Sequence, residues 1–114
     1  MQQMVQGLNQ ESIQALNRTL LLNSLRKEKI CSRAHLSHLT NLKQATVTYI
    51  MNDFISWNIV KEVGLIGGIK GRRSIGVSIN NDEYGVIAVR LSKKYYSIGI
   101  FDLSGDIICS DNFE

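Results

Sequence analysis

Apolar residues recur every three or four positions in three stretches of the first half of the chain. This spacing predicts three helices, at about 11–27, 32–39 and 43–56. A polar pair, Thr40-Asn41, separates the second helix from the third, and Asn tolerates the left-handed backbone that a tight turn needs. Two short helices joined by such a turn are typical of a helix-turn-helix.

The third helix has two contrasting faces. With about 100° between successive residues, one side is apolar and is predicted to face the core. The apolar side consists of Val47, Ile50, Met51 and Phe54. The opposite side is small, polar and aromatic, and consists of Gln44, Ala45, Thr48, Tyr49 and Asn52. A solvated face would more often carry Glu and Lys pairs, whereas short hydroxyl and amide side chains can approach base edges in the DNA major groove. We interpret this side as a candidate DNA-reading face, and the alternative is a solvated or protein-contacting face.

Beyond residue 58 the helical period gives way to alternation. Ile59 to Val63 and Ser74 to Ile79 are predicted strands, and Gly64 to Gly71 is predicted to be the flexible turn between them. This hairpin would form a wing with a basic tip or returning shoulder. The basic residues are Lys70, Arg72 and Arg73. Glycine lets the backbone approach a phosphate ridge and Arg fits a narrow minor groove, so these residues are candidate DNA contacts. A solvated turn is the alternative.

The remaining third of the chain has a different pattern. Asn80 to Glu83 is a polar linker and the predicted domain boundary. Three short apolar stretches follow at about 84–91, 95–102 and 106–110, and they predict an antiparallel meander. Three strands bury little surface on their own, so one face should need a partner. The predicted class is therefore α+β, with a winged helix-turn-helix at 1–80 and a β-meander at 81–114.

The net charge of +3 hides an uneven distribution. Residues 1–80 carry ten Lys and Arg against four acids, whereas residues 81–114 carry three against six. A basic front part indicates that only this part meets a polyanion such as DNA. Further candidate contacts flank the two short helices, namely Ser32, Arg33, Lys43 and Thr46. Ser32 could instead be a simple helix cap, and Thr46 could cap the start of the third helix.

Several other classes of protein are disfavoured. Cys31 and Cys109 lie far apart, and no His and Cys cluster supplies the four ligands of a structural zinc site. No apolar run approaches the roughly 18 residues of a membrane span, and the N-terminus lacks the pattern of a secretion signal. No catalytic constellation is visible. We therefore expect no enzyme, no cofactor, no metal and no membrane association, but a cytoplasmic DNA-binding protein with reduced thiols.

The order of these features resembles the repressor branch of the ROK family (repressors, open reading frames and sugar kinases). The resemblance covers nearly the whole chain and is strongest between Asn17 and Asn80. It is carried by the first helix, the stretch from Ser32 to Glu62, the sequence Gly71-Arg72-Arg73 leading into a strand, and a meander ending in Asp102-Leu103-Ser104-Gly105. Family members often have Pro after the Gly-Arg motif, whereas this chain has Ser74.

The resemblance implies a sequence-specific, dimeric repressor of carbohydrate-utilisation genes that binds operator DNA. It also implies that the meander opens an actin-like, sugar-kinase-type domain, most of which this chain is expected to lack. A sugar or sugar phosphate is then an expected effector only where a full ROK domain is present. In the family's kinases an acid and a glycine-rich loop cradle ATP, but Arg90 stands at the acid's place and Ser92-Lys93-Lys94 contains no glycine. Two alternatives stay open, a fragment of a ROK-type sugar kinase and a winged-helix protein-interaction module.

Overall fold

The chain combines a small helical bundle with two antiparallel sheets, and the computed structural model describes residues 7–67 and 72–114. This arrangement confirms the α+β class. In chain order the elements are α1 (Gln10–Glu28), β1 (Ile30–Ser32), α2 (Arg33–Thr40), α3 (Gln44–Ser56), β2 (Val60–Gly67), β3 (Arg73–Ile79), β4 (Gly85–Leu91), β5 (Tyr96–Asp102) and β6 (Ile107–Phe113).

One apolar core lies where the three helices meet the first sheet. The predicted core side of α3 is buried in full, and α2 contributes Leu36. Leu21 and Leu25 of α1 pack into the same cluster, together with Val60 and Val77 from the sheet. By contrast, Ile13, Leu16 and Leu20 lie exposed on α1. Helical spacing therefore predicted α1 correctly, but the face that packs is the one carrying Leu21 and Leu25.

Side-chain caps begin the first two helices, and a left-handed residue ends the second. The Asn9 side chain accepts a hydrogen bond of 2.9 Å from the backbone N–H of Ser12. Ser32 accepts one of 3.1 Å from the backbone N–H of His35, which confirms its role as the cap of α2. Asn41 has φ 59°, so the turn between α2 and α3 ends in the left-handed conformation that the Thr40-Asn41 pair predicted.

The first sheet has the strand order β1-β3-β2. No strand was predicted between the first two helices, but Ile30-Cys31 belongs to β1 and pairs with β3, with Cys31 opposite Val77. This pairing joins residues distant in sequence, so no local pattern indicates it. β1 ends at Ser32, the cap of α2, and the sheet therefore fixes where α2 begins.

The prediction that Gly64 to Gly71 forms the turn of the hairpin is wrong for its first half. β2 continues to Gly67, and Leu65 pairs with Ile75 in the ladder. Gly64 has φ +94° and sits at an irregularity in the register after Glu62, where one residue of β2 is skipped. The glycine thus serves a β-bulge rather than a turn. Residues 68–71, the rest of the predicted turn, lie outside the described residues.

The second sheet is the predicted meander, with the order β4-β5-β6. Its β5–β6 turn contacts the first part of the molecule, because Leu103 packs against the core and Ser104 donates to and accepts from the Asn81 side chain at 2.9–3.2 Å. The predicted linker is therefore held at Asn81. All residues of β4 and β6 are exposed, so the meander buries little surface.

Candidate nucleic-acid interface

The polar face of α3 is open to solvent along its length. Gln44, Ala45, Tyr49 and Asn52 are exposed, and Thr48 is half-buried. Tyr49 leaves 59% of its surface accessible, although its ring is large enough to contribute to a core. The opposite face is fully used by the core, so α3 is held rigidly while this face stays free. Such a helix can be inserted into a groove without losing its packing.

The start of α3 also has free polar groups. Lys43 occupies the cap position, and its side chain makes no capping hydrogen bond. Thr46 therefore does not cap the helix, which was the structural alternative for this residue. The first backbone N–H groups of an uncapped helix, together with its dipole, favour an anion such as a phosphate. The exposed Lys43 adds a positive charge at the same place.

A cleft of about 550 Å³ joins the two helices to the hairpin. We call it the basic cleft, and it is lined by Ser32, Arg33, Ala34, Gln44, Arg72, Arg73, Ser74 and Ile75. Arg72 immediately precedes β3 and Arg73 is its first residue, so both stand on the returning shoulder of the hairpin as predicted. Both are exposed. The fold thus brings residues some forty positions apart in the sequence to one concave, positively charged surface.

Two residues of the basic cleft also have structural roles. Ser32 is buried and its hydroxyl is used in the cap of α2. Arg33 is 18% exposed and its Nη2 lies 3.1 Å from Oε1 of Glu62 in β2, while its Nε is enclosed with no acceptor among the described residues. The guanidinium is therefore held in place between α2 and the hairpin. It borders the cleft rather than extending freely into it.

The predicted site residues fall into two adjoining surfaces. Ser32, Arg33, Arg72 and Arg73 line the basic cleft, and Gln44 lies where the cleft meets α3. The other described candidates belong to α3 or its start, namely Lys43, Ala45, Thr46, Thr48, Tyr49 and Asn52. Lys70, which was also predicted as a DNA contact, lies outside the described residues.

Three further residues of the basic cleft were not predicted. Ala34, Ser74 and Ile75 line it only because α2 and β3 approach each other. Trp57 is the C-terminal cap residue of α3, is 45% exposed and lies beside Phe54, with the Arg18 guanidinium 5.5 Å from the centroid of its ring.

Other chemistry is sparse in the described part of the chain. Residues 7–67 and 72–114 contain no group of three or more His, Cys, Asp or Glu side chains that could hold a metal ion. Burial raises the pKa of the Cys31 thiol from 9.0 to about 11, and the nearby Glu28 carboxylate adds to the rise. Cys109 is exposed, and the two thiols are not bonded to each other.

No helix within residues 7–67 and 72–114 is long and apolar enough to cross a membrane.

Comparison with known proteins gives relatives of one kind. No family model matches the chain. The xylose repressor of Bacillus spizizenii is 32% identical over 100 residues, which are 88% of this chain and 26% of that protein. The xylose repressor of Caldicellulosiruptor bescii is 29% identical over 100 residues, again 88% of this chain and 25% of the relative. The transcriptional dual regulator NagC of Escherichia coli is 26% identical over 105 residues, or 92% of this chain and 26% of NagC.

A solved structure shares the fold. It is a ROK family transcriptional regulator described as a homologue of the Escherichia coli Mlc protein, with a TM-score of 0.68 and 21% identity. The match covers 90% of this chain and 26% of that one. This chain therefore spans about a quarter of the length of the curated relatives it matches. From these relatives and the shared fold we conclude that the chain belongs to the ROK family.

Proposed function

We propose that this chain is the DNA-binding part of a cytoplasmic transcriptional repressor of carbohydrate-utilisation genes. The α3 face reads base edges in the major groove, and the basic cleft holds the phosphate backbone beside it. The observation that carries this proposal is the basic cleft itself. Arg72 and Arg73 line the same cleft as Gln44, the first residue of α3, so one duplex can contact the hairpin and the helix together.

Within this proposal the two surfaces have separate tasks. Gln44, Thr48, Tyr49 and Asn52 present amide, hydroxyl and aromatic groups that can distinguish bases by hydrogen bonds and by contact with the thymine methyl group. Lys43, Arg72 and Arg73 neutralise phosphates, which gives affinity without sequence information. Lys70 and Thr46 are further proposed phosphate contacts. Substitutions in the first group should change which sequence is bound, and those in the second should weaken all sequences alike.

The domain organisation is part of the proposal. Residues 1–80 form a winged helix-turn-helix, and 81–114 form the first strands of a ROK domain that would continue in a full-length relative. In such a protein a homodimer reads two operator half-sites one helical turn apart. A sugar or sugar phosphate bound to the complete ROK domain is the proposed effector. The names of the relatives, xylose repressor and N-acetylglucosamine repressor, support an effector of this class.

The two alternatives have less support. A ROK-type kinase would need a phosphate-binding loop after β4, and the bend there is formed by Ser92, Lys93 and Lys94, without glycine. The relatives are named as repressors or regulators. A winged-helix module used only for protein contacts would not require Arg72 and Arg73 beside the start of α3.

The proposal is tested by selecting duplexes from a random pool with the purified chain and measuring the affinity of the winning sequence. We expect a defined motif and a dissociation constant that rises steeply with salt, because several Lys and Arg side chains displace counterions. A scrambled duplex of the same composition is the control. If no motif is recovered and the scrambled duplex binds equally well, the result would favour the alternative of a winged-helix module that binds proteins.

A further inference from the structure

Two adjoining hollows lie on the side of α1 that faces the meander. They have volumes of about 420 and 400 Å³, and both are bordered by Arg26 and Ile79. We call them together the junction cleft. One wall is the C-terminal half of α1, and the opposite wall includes Leu103, Ser104 and Asp106 around the β5–β6 turn. None of the predicted DNA contacts lines it.

The first hollow is apolar and aromatic. It is lined by Leu22, Asn23, Arg26, Trp57, Ile59, Ile79, Tyr84 and Leu103. Trp57 and Tyr84 are 45% and 49% exposed, so two large rings are left partly in water at the edge of an apolar depression. Leaving such surface in water is unfavourable, and a ligand with an apolar body would remove it. Concave apolar sites with a few polar groups are the usual form of small-molecule sites.

The second hollow is mainly cationic. Its charged lining consists of Arg26, Lys29, Lys61 and a single acid, Asp106. Lys61 is paired with Asp82 at 3.5 Å, but Arg26 and Lys29 form no ion pair with any described residue. The Arg26 Nη1 atom lies over the β5–β6 turn, 3.9 Å from where a Cβ on Gly105 would be. The guanidinium is thus directed across the cleft.

Lys29 lies at the C-terminal end of α1, where it borders this hollow. It has φ 69° and its backbone N–H donates to the Leu25 carbonyl at 2.8 Å, so the positive φ belongs to the cap that ends the helix. Cations at the end of α1 also suit the helix dipole, but Lys27 meets that need without lining the junction cleft. Lys27 is therefore a natural control for Arg26.

We propose that the junction cleft binds a small organic anion with an apolar, preferably aromatic, body and a carboxylate or phosphate head. The body lies between Trp57 and Tyr84, and the head meets Arg26 and Lys29. Such a ligand contacts the helical part and the meander at once, on either side of the segment held at Asn81. It therefore strengthens the docking of the meander on the core. This site goes beyond the proposed DNA binding and does not depend on it.

Trp57 is the only tryptophan in the sequence and lines the cleft, so its fluorescence reports occupancy directly. The probe is 3-phenylpropanoate, and the matched neutral probe is 3-phenylpropanamide. We expect a saturable change with both, and about fivefold tighter binding of the carboxylate, as one exposed charge pair of about 1 kcal/mol gives. Equal affinity for the two probes, or no saturable change, would overturn the proposal.

Variants locate the site. Arg26→Gln should remove most of the preference for the carboxylate over the amide, whereas Lys27→Gln should keep it. Tyr84→Ser should weaken both probes by a similar factor, because it removes part of the apolar wall but no charge. Lys29→Gln tests the cationic half if Arg26→Gln does not fold. A preference that survives both Arg26→Gln and Lys29→Gln, or probe binding indifferent to Tyr84→Ser, would contradict the assignment.

Discussion

Arg33, the first residue of α2, and Glu62, in β2, form an ion pair with 3.1 Å between Nη2 and Oε1. This pair connects the helix-turn-helix to the hairpin beside the basic cleft, which Arg33 borders. The Arg33 side chain is only 18% exposed, whereas that of Glu62 is 46% exposed. The pair therefore contributes little to the free energy of folding while it holds α2 against the hairpin.

Replacing Glu62 with Gln should lower the free energy of unfolding by no more than about 1 kcal/mol, because a half-exposed pair is screened by water. Urea unfolding measures the change. Asp82→Asn is the control, since it breaks the Lys61 pair at 3.5 Å, where the Asp82 side chain is 80% exposed, and should have no measurable effect. Equal losses in the two variants would mean that the Arg33 pair has no special role.

The bulge at Gly64 gives a second prediction. Gly64 has φ +94°, whereas Gly67 has no positive φ, and a Cβ at either position would meet nothing within 4 Å. Gly64→Ala should therefore destabilise the chain by about 1–2 kcal/mol through backbone strain alone. Gly67→Ala should be neutral or slightly stabilising. Thermal or urea unfolding of the two variants compares them, and equal stabilities would show that residue 64 does not need a left-handed backbone.

The core of the helix-turn-helix gives a third prediction. Leu36 is completely buried and Leu39, on the same helix, is 45% exposed. Leu36→Ala should cost about 2–5 kcal/mol because it leaves a cavity among α1, α3 and the sheet. Leu39→Ala should cost less than about 1 kcal/mol. A larger loss for Leu39 would mean that α2 packs through its other side.

The two thiols should differ sharply in reactivity. Cys31 is buried with its pKa raised to about 11, whereas Cys109 is exposed. Iodoacetamide at pH 8 should modify one thiol in the folded chain and two in denaturant, as mass spectrometry would show. Modification of both thiols at equal rates under native conditions would contradict the placement of β1.

The same shift has a consequence for stability. The raised pKa in the folded state means that the unfolded chain loses the Cys31 proton first, near pH 9. The stability that the buried, protonated Cys31 thiol contributes is complete below pH 9 and is lost as the pH rises towards 11. Cys31→Ala should remove this part of the pH dependence.

The patterns that predicted the fold correctly involve residues that are close together in the sequence. The apolar side of α3, the Ser32 cap and the Asn41 turn all depend on neighbours within a few residues, and each is confirmed. The strand at Ile30-Cys31 could not be predicted, because it exists only through its pairing with β3. Gly64 was assigned to a turn because glycine is typical of both turns and bulges, and only the partner strand distinguishes them.

The candidate site was predictable as a set of residue types but not as a surface. Helical angles sufficed to select the exposed side of α3. The sequence did not show that Arg33 is held by Glu62, nor that Ala34 and Ser74 line the same cleft as Gln44 and the two arginines. These relationships depend on how α2 and the hairpin pack, which is set by contacts distant in sequence.

The most direct test of the proposed DNA binding compares two double substitutions that remove the same charge. Arg72→Ala with Arg73→Ala alters the basic cleft, whereas Lys93→Ala with Lys94→Ala alters the exposed bend of the meander. Fluorescence anisotropy with the selected duplex, at several salt concentrations, measures both. We expect the arginine pair to lower affinity at least tenfold and to reduce the salt slope by about 2, since each phosphate contact contributes about 0.9. The lysine pair should change neither appreciably. Equal effects of the two pairs, or no effect of the arginine pair, would contradict the DNA-binding role of the basic cleft.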